Sequence, residues 1–437
     1  MLNLRNFAIL LLDFSGGIKG LRQVQASDTY HGECGSRWED RKLFLSLSLR
    51  QYRSLLRQIV LRKSRLCFWK KPERRKVEVV VSGWWALANR PLAEKIILKD
   101  GHSQAVEYDS EIDYGSVDTI VRPLMWIFMG LYIPAVFLIG LLDKRKHRYS
   151  ILSSTVGTVL KVGSLRSPDA VYFFSLYLSQ DYLAATYLSK RLKLPVVCVF
   201  HEQLMSVFSS NFQASTPVIV TADIQRVEAE NLRKRGAISV GDIRYYDYYE
   251  MFPENVPSAM PHKYDIGFVS SGEWGREGGK KQPPLDMLPL AARGDFADNG
   301  PAQKSIELLV ILLKWARTNR KTVCVYPHPY ERLLMDEYGA KPPWLELVNE
   351  AGQYWDDSQA ADSLVQISES SVTVSQFSTL SLKRIDLGFM STFNCAVDFE
   401  GTPLIALGDL GKYQRNFFVN FNDLERKIES EFEAING

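Results

Sequence analysis

The amino-acid sequence predicts an α/β protein of two Rossmann-like, doubly wound domains facing a cleft. Three observations carry that expectation. Short β-branched runs alternate with segments of helical spacing, which means parallel sheets covered by helices. The chain has 437 residues, too many for one ordinary domain and about right for two or three. Pro253, Pro257, Ser258 and Pro261 punctuate a linker-like stretch, and a fresh strand pattern begins directly after it. Residues 1–76 then form an extension, 77–258 a first domain and 259–437 a second.

The elements are read in order. Residues 1–76 have weak periodicity and several turn-formers, among them Ser15-Gly16-Gly17 and Gly32 to Gly35. Lys76 to Val81, closed by Ser82-Gly83, is β-branched throughout its core and reads as a strand buried on both faces. Leu87 to Lys99 has helical spacing and stops at Gly101, and Ala105 to Tyr108 is the next strand. Asp169 to Phe174, Pro195 to Phe200 and Pro217 to Thr221 are further strands. Gln180 to Lys193 and Ile224 to Arg235 are helices, the second stopped by Gly236.

The second domain opens with the strand Tyr264 to Val269. A polar Gly/Pro loop covers 276–301, and Ser305 to Asn319 is a strongly periodic helix. Thr322 to Tyr326 is a strand running into Pro327-His328-Pro329. Ser371 to Val374 is another strand, followed by a short helix from Thr379 to Gly388. No internal repeat of fixed period is present. In sheets of this kind ligands bind outside the carboxyl ends of the strands.

Composition excludes several classes. Hydrophobic residues are 46% and charged residues 24%, the balance of a folded globular chain. A net charge of +3 gives no reason to expect a nucleic-acid partner. Cys34, Cys67, Cys198, Cys324 and Cys395 are scattered and odd in number, without a CxxC pair. A disulfide framework or zinc site is not expected, and a reducing cytoplasm is the natural compartment. Phe7 to Leu12 is apolar but is cut by Asp13 with no small-residue cleavage site after it, so no signal peptide is read there.

Two segments point to a membrane surface. Residues 50–76 carry eleven Lys or Arg against the single acid Glu73, with Leu55, Leu56, Ile59, Val60 and Leu61 between them. That pattern suits either a basic amphipathic helix on an anionic leaflet or a solvated helix face. Leu124 to Leu142 is 19 residues without a charge, followed by the cluster Asp143 to Arg148. Its length licenses a transmembrane helix. Pro134 and Gly130 interrupt it, and the segments on either side read as parts of one α/β domain. It is therefore expected to dip into one leaflet, ahead of a buried core helix or a true span. Peripheral attachment to the inner face of the cell membrane follows.

Candidate site residues lie at strand ends. Ser378-Thr379 stands between a strand and a helix, where unpaired N–H groups and the helix dipole favour a phosphate. The alternative is an ordinary N-cap, worth about 1 kcal/mol. His328, fixed in direction by Pro329, can neutralise charge developing on a leaving phosphate. His201 and Glu202 end a first-domain strand, and either can take a proton from a hydroxyl, or Glu202 can polarise His201. Asp109 is a weaker candidate base. Gly272, Gly275, Gly278 and Gly279 lie past the strand 264–269 with Arg276, either as a close-approach phosphate loop or as an ordinary mobile one. Trp84 and Arg90 follow the first strand, where an indole either stacks on a sugar or fills the core. No Asp-x-Asp stands at a strand end, so a metal is not expected.

These residues carry a resemblance. Trp84 to Tyr108, with Asn89-Arg90-Pro91 and Lys99-Asp100-Gly101-His102, resembles the first βαβ unit of GT-B glycosyltransferases. Pro168 to Tyr172, Ala184-Ala185 and Pro195 to Glu202 look like a later passage of that acceptor domain, and Thr221 to Gly236 with Gly241 to Tyr245 like its close. The common Glu-x7-Glu pair of the second domain is absent. His328-Pro329 and Ser375-Gln376-Phe377-Ser378-Thr379 instead resemble the bacterial sialyltransferase, Kdo-transferase and capsule-polymerase branches. The resemblance implies that these motifs hold the nucleotide of a CMP-linked sugar, with no metal or other cofactor. It implies transfer to a glycan or lipid-linked acceptor for a surface polysaccharide such as capsule or lipopolysaccharide. Two other readings stay open: a CDP-glycerol type polyol-phosphate transferase, and a non-catalytic glycan-binding module of the same fold.

Overall fold

The structure is a computed structural model. It describes residues 77–82, 90–102, 106–109, 162, 168–174, 179–200, 216–234, 240–256, 262–270, 301–328, 331–332, 335–336, 341–358, 366–376, 378–396 and 410–436. The basic stretch 50–76 and the apolar stretch 124–142 lie outside the described residues. Among the described residues no helix is long and apolar enough to cross a membrane. The chain divides into two compact units. One comprises Met1–His201, Phe208–Ile219 and Gly236–Arg244, the other Glu202–Val207, Val220–Arg235 and Tyr245–Gly437.

The first sheet has six strands: β1 (Val79–Ser82), β2 (Val106–Tyr108), β3 (Ala170–Phe174), β4 (Val196–Phe200), β5 (Val218–Val220) and β6 (Ile243–Tyr245), in the order β2-β1-β3-β4-β5-β6. The registers of β1 with β2, β1 with β3 and β3 with β4 are all parallel. Every residue of β1, β3, β4 and β5 is buried. That is why these strands are unbroken apolar runs rather than alternating ones. Helix α1 (Arg90–Lys99) buries Leu92, Ala93, Ile96 and Ile97, one face at helical spacing. It ends at Gly101, whose φ of +85° a side chain would resist, and the His102 amide closes the turn on the Ile97 carbonyl. Helix α2 (Ser179–Lys190) precedes β4.

The second sheet also has six strands: β7 (Tyr264–Val269), β8 (Val323–Tyr326), β9 (Tyr354–Trp355), β10 (Ser370–Ser375), β11 (Thr392–Cys395) and β12 (Phe417–Phe418), in the order β12-β11-β10-β7-β8-β9. Every pairing is parallel. The chain starts in the middle at β7, builds outward to β9, then returns to the other side of β7 with β10. This is the doubly wound order 3-2-1-4-5-6, and the strand order reverses between β7 and β10. Gly267 sits there because a Cβ would lie 2.7 Å from Ser370 Oγ and 2.8 Å from the Tyr326 ring.

Helices cover this sheet: α3 (Asp223–Lys234), α4 (Tyr248–Met251), α5 (Pro301–Thr318), α6 (Pro343–Glu350), α7 (Thr379–Asp386) and α8 (Phe421–Asn436). α8 buries Leu424, Ile428 and Phe432, spaced four apart, and Phe432 stacks on Trp315 of α5 at 6.4 Å. α3 follows β5 in the chain yet packs Ile224 with Leu382, Ile385 and Tyr413 of the second unit. The sequence expectation thus holds for the α/β class and for two doubly wound sheets. The linker region contains a 3-10 turn at Pro253–Asn255. Cys198, Cys324 and Cys395 are buried and form no disulfide, and burial pushes the Cys198 and Cys324 thiols up to about 12.

Candidate functional site

The switch between β7 and β10 gathers the polar residues of the second unit. Strands there run parallel, so their carboxyl ends share one edge. His328 stands two residues past β8, and Ser375 to Ser378 close β10 and lead into α7. Only β7 separates the two strands. At the usual strand spacing their ends are about 10 Å apart.

Each residue is held by neighbours at that edge. Just past β7, the Ser270 amide donates to the Tyr326 carbonyl at 3.0 Å. Its hydroxyl donates to Glu331 Oε1 at 2.6 Å, and the His328 amide donates to Glu331 Oε2 at 2.7 Å. Glu331 is fully enclosed. The hydroxyl of Ser375 is buried with that of Ser381, 3.1 Å away, and bonds Asn394 on β11. Asn394 is 1% exposed, and its Nδ2 has no partner among the described residues. Turning the amide would merely exchange which end lacks one. Ser378 is the N-cap of α7 with extended backbone, φ −149° and ψ 128°, and its hydroxyl makes no capping bond. The hydroxyl and the first-turn amides of α7 are therefore not satisfied by each other.

The remaining candidates are placed as follows. Thr379 opens α7, but its side chain lies outside what is described. Pro329, Gly272, Arg276, His201, Glu202 and Trp84 lie outside the described residues. Arg90 opens α1, exposed, with its guanidinium 4.4 Å from the centre of the Tyr108 ring. Asp109 closes β2: its amide donates to the Val81 carbonyl, and Ser82 Oγ donates to its Oδ2 at 2.7 Å. Among the described residues no group of three His, Cys, Asp or Glu side chains could hold a metal ion. Sequence reasoning missed Glu331, Ser270 and Asn394. Only the position of Glu331, three residues past His328, could have flagged it.

The far end of α7 carries a second polar cluster. Asp386 accepts from the amides of Asp223 at 2.7 Å and Ile224 at 3.4 Å, and so caps α3 from another helix. Burial pushes the Asp386 carboxyl up to about 7, with Asp223 and Asp247 adding to the rise against the two amides. For Asp223, burial also works upward, but Tyr413, Arg226 and Lys412 outweigh it and hold it below the ordinary range. Asp386 binds its proton more tightly folded than unfolded. Its contribution is complete below about pH 4 and is lost as pH rises through about 7. Asp223 acts with the opposite sign and at lower pH. The stability of Asp386→Asn relative to the parent should therefore rise between about pH 4 and 7, by at most about 1.4 kcal/mol per pH unit, the limit for one proton. Urea titrations of both proteins at several pH values measure it; a constant difference would refute the assignment.

No family model matches the chain, and no curated protein matches it. Among solved structures it is similar to UDP-GlcNAc 2-epimerase from Methanocaldococcus jannaschii, at 10% identity and a TM-score of 0.35 over 80% of this chain and 91% of that one. At that distance the likeness carries no argument about chemistry.

Proposed function

We propose that the protein is a GT-B glycosyltransferase that moves a sugar from a CMP-linked donor to a membrane-borne or surface-polysaccharide acceptor. One observation supports this most: His328, Ser375 and Ser378 end on one edge of the second sheet, beside its strand-order switch. That edge is where doubly wound sheets take nucleotides. In this reading the α7 amides, Ser378 and Thr379 take the phosphate, and His328, set by Pro329, meets the charge that grows on it. Ser375 supports the turn that follows β10, the backbone at Gly272 approaches the nucleotide closely, and Arg276 binds its phosphate.

The acceptor half uses other residues. Trp84 and Arg90 hold the acceptor, and Glu202 or His201 takes the proton of its attacking hydroxyl. The acceptor oxygen bonds the anomeric carbon as the bond to phosphate breaks, and the nucleotide leaves with the electron pair. Residues 50–76 and 124–142 hold the enzyme at the cytoplasmic face of the membrane.

A thermal-shift series with CMP, CDP, UDP and GDP tests the reading. CMP at a hundred times its Kd should add about 2.7 kcal/mol of stability, because it binds only the folded state. For a unit of this size that is on the order of 5–10 °C in Tm. Absence of a shift with all four nucleotides would remove the proposal. A preference for UDP or GDP would reassign the donor, and turnover of CDP-glycerol in place of a CMP-sugar would reassign the reaction.

A further inference from the structure

Burying a carboxylate is costly unless donors surround it. Glu331 is 0% exposed, and it is placed where two strand ends meet. Its two oxygens divide their work. Oε1 receives the Ser270 hydroxyl from the end of β7, and Oε2 receives the His328 amide from the end of β8. The turn is closed a second time, because the Arg332 amide donates to the His328 carbonyl at 3.1 Å. The next side chain extends the wall. Arg332 pairs with Asp356 and donates to the carbonyls of Asp356 and Ser358, just past β9. Two adjacent residues thereby fasten the carboxyl ends of β7, β8 and β9 to each other.

We propose that Glu331 is a positioning residue for the nucleotide site. It fixes the backbone at His328, and with it the direction in which that side chain leaves the chain, before a nucleoside monophosphate arrives. This rests on the reading of His328 as a nucleotide-binding residue. Preorganised donors lower the cost of ordering on binding. A carboxylate suits the task because it accepts at both oxygens. Glutamine in the same place presents an N–H to one of the two donors and loses that contact.

The test joins two measurements on the full chain. Hydrogen exchange of the peptide spanning 323–332 reports the His328 amide, and calorimetric titration with CMP reports affinity. Glu331→Gln should speed exchange at His328 at least tenfold and raise the Kd for CMP about tenfold. In a His328→Ala background the same substitution should leave the Kd unchanged, since the residue acts through His328. Ser270→Ala removes the other donor and should raise the Kd about threefold; it decides the matter if Glu331→Gln does not fold. Faster exchange with the parent's Kd for CMP would overturn the positioning role and leave the nucleotide reading standing. An equal loss of affinity in the His328→Ala background would overturn it too. A parent protein that binds none of CMP, CDP, UDP and GDP would bring down the nucleotide reading, and this proposal with it.

Discussion

Replacing Arg384 with alanine should destabilise the second unit by about 3–5 kcal/mol, read as a lower urea midpoint at constant slope. The residue is 0% exposed, in the last turn of α7. Its Nε donates to Thr392 Oγ1 at 3.1 Å, and its two terminal nitrogens donate to the Ile367 carbonyl at 2.8 Å and the Ser370 carbonyl at 2.7 Å. Phe389 covers one face of the guanidinium at 4.5 Å. Burial pushes the group down to about 10, so keeping it charged costs about 3 kcal/mol. Truncation recovers that cost. Against it stand three buried acceptors left without donors, at about 1–3 kcal/mol each, and a cavity worth about 2–5 kcal/mol more. The loss exceeds the relief. Methionine fills most of the volume and recovers the same cost, so Arg384→Met should lose only about 1–3 kcal/mol. Arg384→Ala within 1 kcal/mol of the parent would show that water reaches these carbonyls. Arg384 ties the entry of β10 to the start of β11, and so holds in place the strand that ends at Ser375.

Much of this fold is legible because its strands are fully enclosed. Val79-Val80-Val81, Val196 to Phe200 and Ile266 to Val269 have no polar face, and such runs stand out against helical periodicity. The strand predicted at 264–269 has the bounds observed, and the helix predicted at 305–319 begins at Pro301 because proline is a natural first residue. β11 is hidden for the opposite reason. Thr392-Phe393-Asn394-Cys395 is short and half polar, and Asn394 is buried only because Ser375 lies in register beside it. β9 and β12 have two residues each, below what any pattern can detect. α8 is different. Leu424, Ile428 and Phe432 repeat every four residues, so that helix is written in the sequence although the strand-by-strand reading stops before it. Nothing in Asp223 to Lys234 shows that it packs on Leu382 and Tyr413, since a helix face records apolarity and not its partner. At the site, His328 and Ser378 show as motifs because each follows a strand. Glu331 does not, because its role depends on Ser270, 61 residues earlier in the chain.

His328→Ala should lower the rate of sugar transfer from a CMP-linked donor by about 10²–10³-fold, the usual cost of removing one donor from developing charge. Its backbone amide still reaches Glu331, so the fold at the strand end should survive. Ser378→Ala separates two roles of one hydroxyl. A serine that caps a helix loses about 1 kcal/mol on truncation. Ser378 makes no capping bond, so the stability change should be well below that value. If the hydroxyl is kept for phosphate, its loss should instead raise the Kd for CMP about tenfold, near the lower end of what one hydrogen bond to a charged group contributes. The two measurements move in opposite ways under the two roles: a phosphate donor loses affinity at constant Tm, and a cap loses Tm at constant affinity. Parallel melting curves and CMP titrations of Ser378→Ala decide between them. A variant with the parent's affinity and a lowered Tm would return Ser378 to the helix and leave the phosphate to the α7 amides and His328 alone.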